Sequence, residues 1–440
     1  MGAVVAKHFK PADTVRAEAL PWLADAAALR DDKAPQWIKA LRATGAESFT
    51  ATALPAPGWE GWQYTNLRPL QEGRFVYNPA AVTPANLPAP LLADSYRIVL
   101  VNGQLQKDLS VLPAGLTLTA LMDLAEAEEE LVTVGDLAAS PFVALNAAYM
   151  RDGFVLDVPK GKDIDKPIEI LYWHEAAGAT APAVYPRSLI RLGENSGLTV
   201  LERHAGAGAA FTNHYAGIIL QPAARLRFYR FVDENDGLCL FGRTVARSRK
   251  NSVFEGFSGI SGLATGRQEF RLQLLDSAVS STISGVYMLK GRQNHDFSIL
   301  ADHFEPDGRS EQHFKGVIDD QSRAVFQGKI HVHRPAQKTD GYQSHHALLL
   351  SREAEACAKP ELEIYADDVK CSHGATAGML DTSALFYMQS RGIPQEQARA
   401  LLILSFLGET LERISDDAVR ALYAARIAAW LGADAETEAA

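Results

Sequence analysis

Apolar and polar positions change rhythm along the chain, dividing it into three regions. From about Ala12 to Ala46, apolar residues such as Leu20, Leu23 and Ala27, then Trp37, Ile38 and Leu41, recur at the spacing of one face of an α-helix. Pro21 and Pro35 break this stretch into short helices, because proline lacks the N–H that an interior turn requires. The following "LPAPGWEGWQYTNLRPL" is rich in Pro, Gly and Trp and reads as a packed aromatic linker rather than a ligand site.

Between about Tyr96 and Cys371 the pattern shortens to strand-length apolar or alternating runs, among them "RIVLVNG", "GFVLDVP", "RSLIRLGENSGLTVLERH" and "RAVFQGKIHV". Turn signals such as "GENSG" and "ENDG" separate them. The main helical candidates inside this region are the acidic "LTALMDLAEAEEEL" and the segment Leu137 to Met150. So long a succession of strands exceeds one immunoglobulin-like sandwich, which leaves a β-solenoid, a propeller or two sandwiches. No repeated Trp-Asp blade signature occurs, so a β-helix is the favoured reading, since its irregular coils stack with faint self-similarity.

After Gly378 the helical period returns. Asp381 precedes "TSALFYMQSRG", Pro394 opens the next helix, and a third is expected to start near Ser415 and close at Gly432. Ala400 to Leu407 is apolar nearly all round, so both faces must be covered, by the β-region or by a partner. The expected organisation is an N-terminal helical region with its aromatic linker (1–95), a β-helix core (96–373) and a C-terminal helical domain (374–440).

Composition narrows the function classes. Of 440 residues, 47% are apolar and 22% charged, the balance of a soluble globular protein, and the formal net charge of -10 argues against nucleic acid or an anionic membrane as the main partner. The longest apolar run, "ALLILSFL", is far shorter than the roughly 20 residues a membrane span needs. The start "MGAVVAKHFKPADTV" lacks a secretory hydrophobic region, and the three dispersed cysteines, Cys239, Cys357 and Cys371, suit a reducing compartment; the expectation is cytoplasmic. No P-loop, H-E-x-x-H or G-x-S-x-G is present, and the glycines of "GAGAAF" from Gly206 give way to Phe211 where a dinucleotide loop needs its third glycine.

Two groups of residues could carry chemistry. His331 and His333 would share one face of a strand, and with a carboxylate such as Asp340 they could form the zinc site of a stand-alone hydrolase; the competing reading is a solvated polar face. In "YADDVKCSHGATAGMLD", side chains two apart in an extended strand point the same way, so Val369, Cys371 and His373 line one face. Thiolate and imidazole suit zinc, iron or an iron–sulfur cluster, yet a closed structural site takes about four ligands and this neighbourhood offers two. Either the pair is structural, or the missing ligands come from another chain.

The segment "DDVKCSHGATAGMLDTSALFYMQSRGIPQEQARALLILSFLGETLERI" closely resembles the C-terminal part of the SufD branch of the SufB/SufD family, subunits of the SUF iron–sulfur cluster assembly system, and "GWEGWQYTNL" is similar to the aromatic stretch ahead of that family's core. The resemblance implies a mainly β fold, a right-handed parallel β-helix core flanked by N-terminal and C-terminal α-helical domains. It implies a non-catalytic scaffold that pairs with SufB through the β-helix, binds the SufC ATPase through its C-terminal helices, and is a possible homodimer when alone. A transient iron–sulfur cluster would be shared with SufB, ATP would enter only through SufC, and a reduced flavin could bind the complex. In the family the histidine of Cys-Ser-His-Gly-Ala-Thr lies at the SufB–SufD interface beside a SufB cysteine, a role that falls on His373, while Cys371 matches the motif's cysteine. A SufB-like paralogue is the nearest alternative; His-Gly-Ala in place of His-Glu-Ala, and the lack of cysteines ahead of Cys239, favour the SufD branch.

Overall fold

From Arg187–Leu192 to Thr339–Leu349 each strand pairs with the strand two places further along the chain, so the backbone winds as a solenoid of about seven turns with one strand per coil in each of two sheets. The computed structural model describes residues 33–432 apart from 56–58, 78–83, 85, 129–130, 133–136, 138–139 and 177–179. The first sheet ends with strands Arg323–Val332 and Glu355–Ile364, the second with Thr339–Leu349 and Val369–Met379. Among the described strands, pairing is parallel except at the start, where Tyr96–Val101 meets Gln104–Leu105 and Thr117–Ala120 meets Gly153–Val158 in antiparallel fashion. The register stacks one residue per coil: Phe228, Gly256, Ile283, Gln312, Gln343 and His373 form one ladder.

Alternation decides what each strand buries. In the second sheet Phe228, Phe254, Ile283, Phe314 and Ala347 point into the lumen, where they meet Phe270, Phe297 and Phe326 of the first. Where helices cover the outer faces, the outward residues are apolar too. Helices α1 (Gln36–Thr52), α2 (Arg68–Glu72) and α3 (Pro141–Tyr149) lie on the first sheet, burying Ile38 and Val143 against Val155, Leu189 and Tyr215. The second sheet is covered by the C-terminal helices α4 (Thr382–Ser390), α5 (Gln395–Leu411) and α6 (Asp417–Trp430); Ile403, Leu407, Val419 and Tyr423 pack on Tyr229, Phe231, Phe257 and Val286. Tyr423 stacks on Phe231 at 4.2 Å and donates to the Arg230 carbonyl at 2.9 Å. Gly259 permits this approach, since a Cβ there would come within 2.3 Å of the Tyr423 ring.

Several corners turn on left-handed residues, among them Asn195, Asn251 and Asp320, side chains that tolerate that conformation better than most. Asp381 and Asp416 cap α4 and α6 by accepting from Ser383 N and Val419 N, so the third C-terminal helix begins at Asp417, close to the expected start near Ser415. "LTALMDLAEAEEEL" is not the expected helix: its described part begins in strand Thr117–Ala120 and continues as a single 3-10 turn, Leu121–Asp123. Antiparallel pairing with Gly153–Val158 overrides its helical composition. The helix expected from Ala12 falls outside the described residues up to residue 32, and helix is found from Gln36.

Candidate functional site

The solenoid ends on two strands of opposite character. Glu355–Ile364, the last strand of the first sheet, carries Lys359, Pro360, Glu361 and Glu363, the charges and proline by which an edge resists pairing. Val369–Met379, the last strand of the second, has Lys370 near its start and then only uncharged, mostly small residues around His373. Among the described residues no strand pairs with its free edge. Beside it, Met379, Phe386 and Tyr387 are 61%, 72% and 59% exposed, a large apolar surface for the start of a helical domain.

Register with Gly341 and Gln343 sets Cys371 and His373 on the lumen side of this strand, as the two-residue spacing requires. Gln312 and Gln343, the two preceding ladder members, span the lumen, donating to the carbonyls of Lys329 at 3.1 Å and Glu361 at 2.9 Å. His373 has no further coil to reach, and its ring stands exposed. Cys371 is half-buried against Ile330 and Val332, and burial first, then the charge of Asp340, raises its thiol above the ordinary value. The thiol is therefore protonated near neutrality, and an arriving cation would be needed to make it a thiolate ligand.

His331 and His333 do come together, but not with Asp340. Asp340 is an exposed residue of the other sheet, in register with Arg309 and Lys370. Their carboxylate is Asp302, one coil earlier, whose Oδ1 lies 2.9 Å from His331 Nδ1 and 2.9 Å from His333 Nε2. Sequence spacing misled because a solenoid places neighbours one coil apart, and Asp302 stands 29 positions before its register partner His331.

A second cluster, invisible to motif reading, lies inside the lumen. Arg230 Nε donates to Glu202 Oε1 at 2.6 Å and its Nη atoms reach Gln268 at 2.7 Å, Thr244 at 2.7 Å and His214 at 3.2 Å, while His204 Nε2 lies 3.0 Å from Glu202. Burial alone would push the Glu202 carboxyl up, but Arg230 and the two histidines hold it well below its usual range. Burial also lowers His204 and His214, keeping both neutral. Glu202, His204 and His214 converge closely enough to hold a metal ion, yet the Arg230 guanidinium already supplies the cation there. The cluster ties coils together across a lumen too dry for unpaired charge.

The aromatic loop packs on the first sheet, as its composition suggested. Trp62 stacks on Phe142 at 5.1 Å beneath the Arg267 guanidinium, and Thr65 donates to Asp296. An open groove of about 480 Å³, lined by Trp62, Asn66, Arg292 and Arg323 among others, runs beside it.

Comparison with known families decides the identity: residues 174–406 match the model described as SUF system FeS cluster assembly, SufBD core domain, and residues 21–170 match the SufBD protein N-terminal region. The chain belongs to the SufBD family. Similar curated proteins are the iron–sulfur cluster assembly protein SufD of Escherichia coli, 29% identical over 393 residues (87% of this chain, 90% of that one), and a SufBD family protein of Synechocystis, 29% identical over 396 residues (85% and 86%). The chloroplastic protein ABCI7 of Arabidopsis thaliana is 32% identical over 296 residues, 65% of this chain and 61% of that one. The SufBD core thus reaches the last strands of both sheets, Glu355–Ile364 and Val369–Met379, and extends into α5. This is a SufD-like iron–sulfur cluster assembly protein. Among its described residues no helix is long and apolar enough to cross a membrane.

Cys239 needs no role in the chemistry of this SufBD chain. It faces outward from the first sheet into the aromatic cluster of Phe211 and Phe241, where burial pushes its thiol up to about 12.

Proposed function

We propose that this chain is the non-catalytic half of a two-chain scaffold, in which Val369–Met379 joins a SufB subunit and His373, with Cys371 beside it, offers ligands to a nascent iron–sulfur cluster at the seam. The observation that carries this reading is the contrast between the two terminal strands: one guarded by Lys359, Pro360 and Glu361, the other open, uncharged beyond Lys370 and holding His373 on its lumen side. A seam of this kind answers the shortage of ligands, because the partner completes the set of about four that iron–sulfur chemistry uses.

Nucleotide chemistry in this reading belongs to SufC, docked on the C-terminal helical domain. One face of α5 is spent on the β-sheet through Ile403, Leu407 and Leu411, while Phe386, Tyr387 and Leu401 remain exposed for an ATPase partner. ATP-driven approach of SufC subunits would be transmitted through α4 to α6 into the second sheet, on which Tyr423 is anchored.

The test replaces His373 with alanine in a chain co-expressed with SufB and SufC. Expected is an intact complex with much reduced cluster content. Undiminished cluster in an intact complex would remove His373 from the ligand set.

A further inference from the structure

We propose that Asp302, His331 and His333 form a binding site for a divalent first-row transition metal, with ferrous iron as the ion it is shaped for. Two imidazoles and one carboxylate are the donor set of facial iron(II) sites, which leave the remaining positions open. The donors are already gathered: ligand atoms on one such ion stand about 3 to 3.4 Å apart at bonds of about 2.1 Å, and the three donor atoms here lie within 4.8 Å of one another. Both His–Asp302 separations are 2.9 Å.

The donors are held before any ion arrives. Asp302 and His331 are register partners on adjacent strands, and His333 follows directly after the strand that carries His331. The ring of Phe304 stacks on His333 at 4.4 Å and Tyr365 meets His331 edge-on at 5.7 Å. Side chains of Asp302, His331 and His333 are 15%, 17% and 31% exposed, so an ion from solvent can reach them. On binding, each imidazole carries its proton on the nitrogen remote from the ion and turns a lone pair inward.

The position adds to the chemistry. His331 lies between Ile330 and Val332, which pack against Val369 and Cys371, and Tyr365 stands just before the turn into the strand that bears His373. An ion held here waits at the same end of the solenoid as the proposed cluster seam. That staging role rests on the reading of His373 given above; the metal site itself does not.

The experiment titrates the untagged full chain anaerobically with Co2+ as a spectroscopic probe, then competes with Fe2+, Zn2+ and Mg2+. One Co2+ should bind with visible d–d absorption, be displaced by Fe2+ and Zn2+, and resist Mg2+. Affinity should fall at least tenfold in the His331→Gln/His333→Gln pair and in Asp302→Asn, which keeps the shape of the side chain, while His373→Ala binds as before. Absence of stoichiometric Co2+ binding, displacement by Mg2+ as readily as by Zn2+, or unchanged affinity in folded Asp302→Asn would overturn the proposal. Loss in His373→Ala alone would overturn it too, while leaving the cluster-ligand reading standing.

Discussion

Gln343 and His373 occupy the same inward ladder position on successive coils, yet only Gln343 finds a carbonyl across the lumen, that of Glu361 at 2.9 Å. Among the described residues His373 has no hydrogen-bond partner, because the chain leaves the solenoid at the end of its own strand and enters α4. The last coil is thus an unfinished one whose interior face is offered outward.

If that strand is the pairing edge, a charge on it will block association without harming the fold. Ala377 is exposed and in register with buried Ala347, so a lysine there projects where a partner's coil would sit. Ala377→Lys should weaken binding to SufB at least tenfold, about 1.4 kcal/mol, in a titration by light scattering or calorimetry. Thermal stability of the isolated chain should stay within about 0.5 kcal/mol of the parent. Unimpaired pairing would remove Val369–Met379 from the interface.

The buried cluster around Arg230 is a matter of stability rather than chemistry. Arg230→Met strands the Glu202 carboxylate in the lumen, which should cost about 3–5 kcal/mol in denaturant unfolding. Pairing it with Glu202→Leu should restore most of the loss, since replacing both charges by apolar groups is close to neutral. A single variant as stable as the parent would contradict this assignment.

Acid should destabilise the fold in a defined window. Burial pushes His174, His295 and His345 down to about 3, with His204 adding to it at His174 and His346 and His313 at His345. Each stays neutral in the fold, whereas its unfolded counterpart takes up a proton below about pH 6.5. Their contribution is complete above that value and is lost as the pH falls from there towards about 3, at roughly 1.4 kcal/mol per pH unit for each histidine. Asp152, raised to about 6 by burial, works in the opposite sense, favouring the fold in acid and losing that contribution as the pH rises through about 6. Three imidazoles outweigh one carboxyl, so the unfolding temperature should drop steadily from about pH 6.5 to about pH 5. A flat profile there would contradict the buried neutral state.

Much of the architecture was legible because a solenoid strand is read locally. Apolar alternation marked the strands, and the two-residue spacing of Cys371 and His373 placed them on one face, where the register with Gly341 and Gln343 has them. What escaped was whatever depends on stacking. Asp302 meets His331 only through the coil repeat, and Glu202, His214 and Arg230 come from three different strands with no spacing that ties them together in sequence. "LTALMDLAEAEEEL" carried a helical composition that one antiparallel pairing outvoted. The return of helical period after Gly378 marked where the coils stop, but which edge stays open and which is guarded appeared only in the paired sheets.

The central claim is that the imidazole of His373 reaches the cluster, and pulsed electron paramagnetic resonance tests it most directly. The complex would be assembled from this chain carrying heavy-nitrogen histidine and from unlabelled SufB and SufC, loaded with cluster and reduced. The account predicts hyperfine coupling from a labelled histidine nitrogen, lost in His373→Ala. A paramagnetic cluster in the intact complex with no coupling to any histidine of this chain would contradict it.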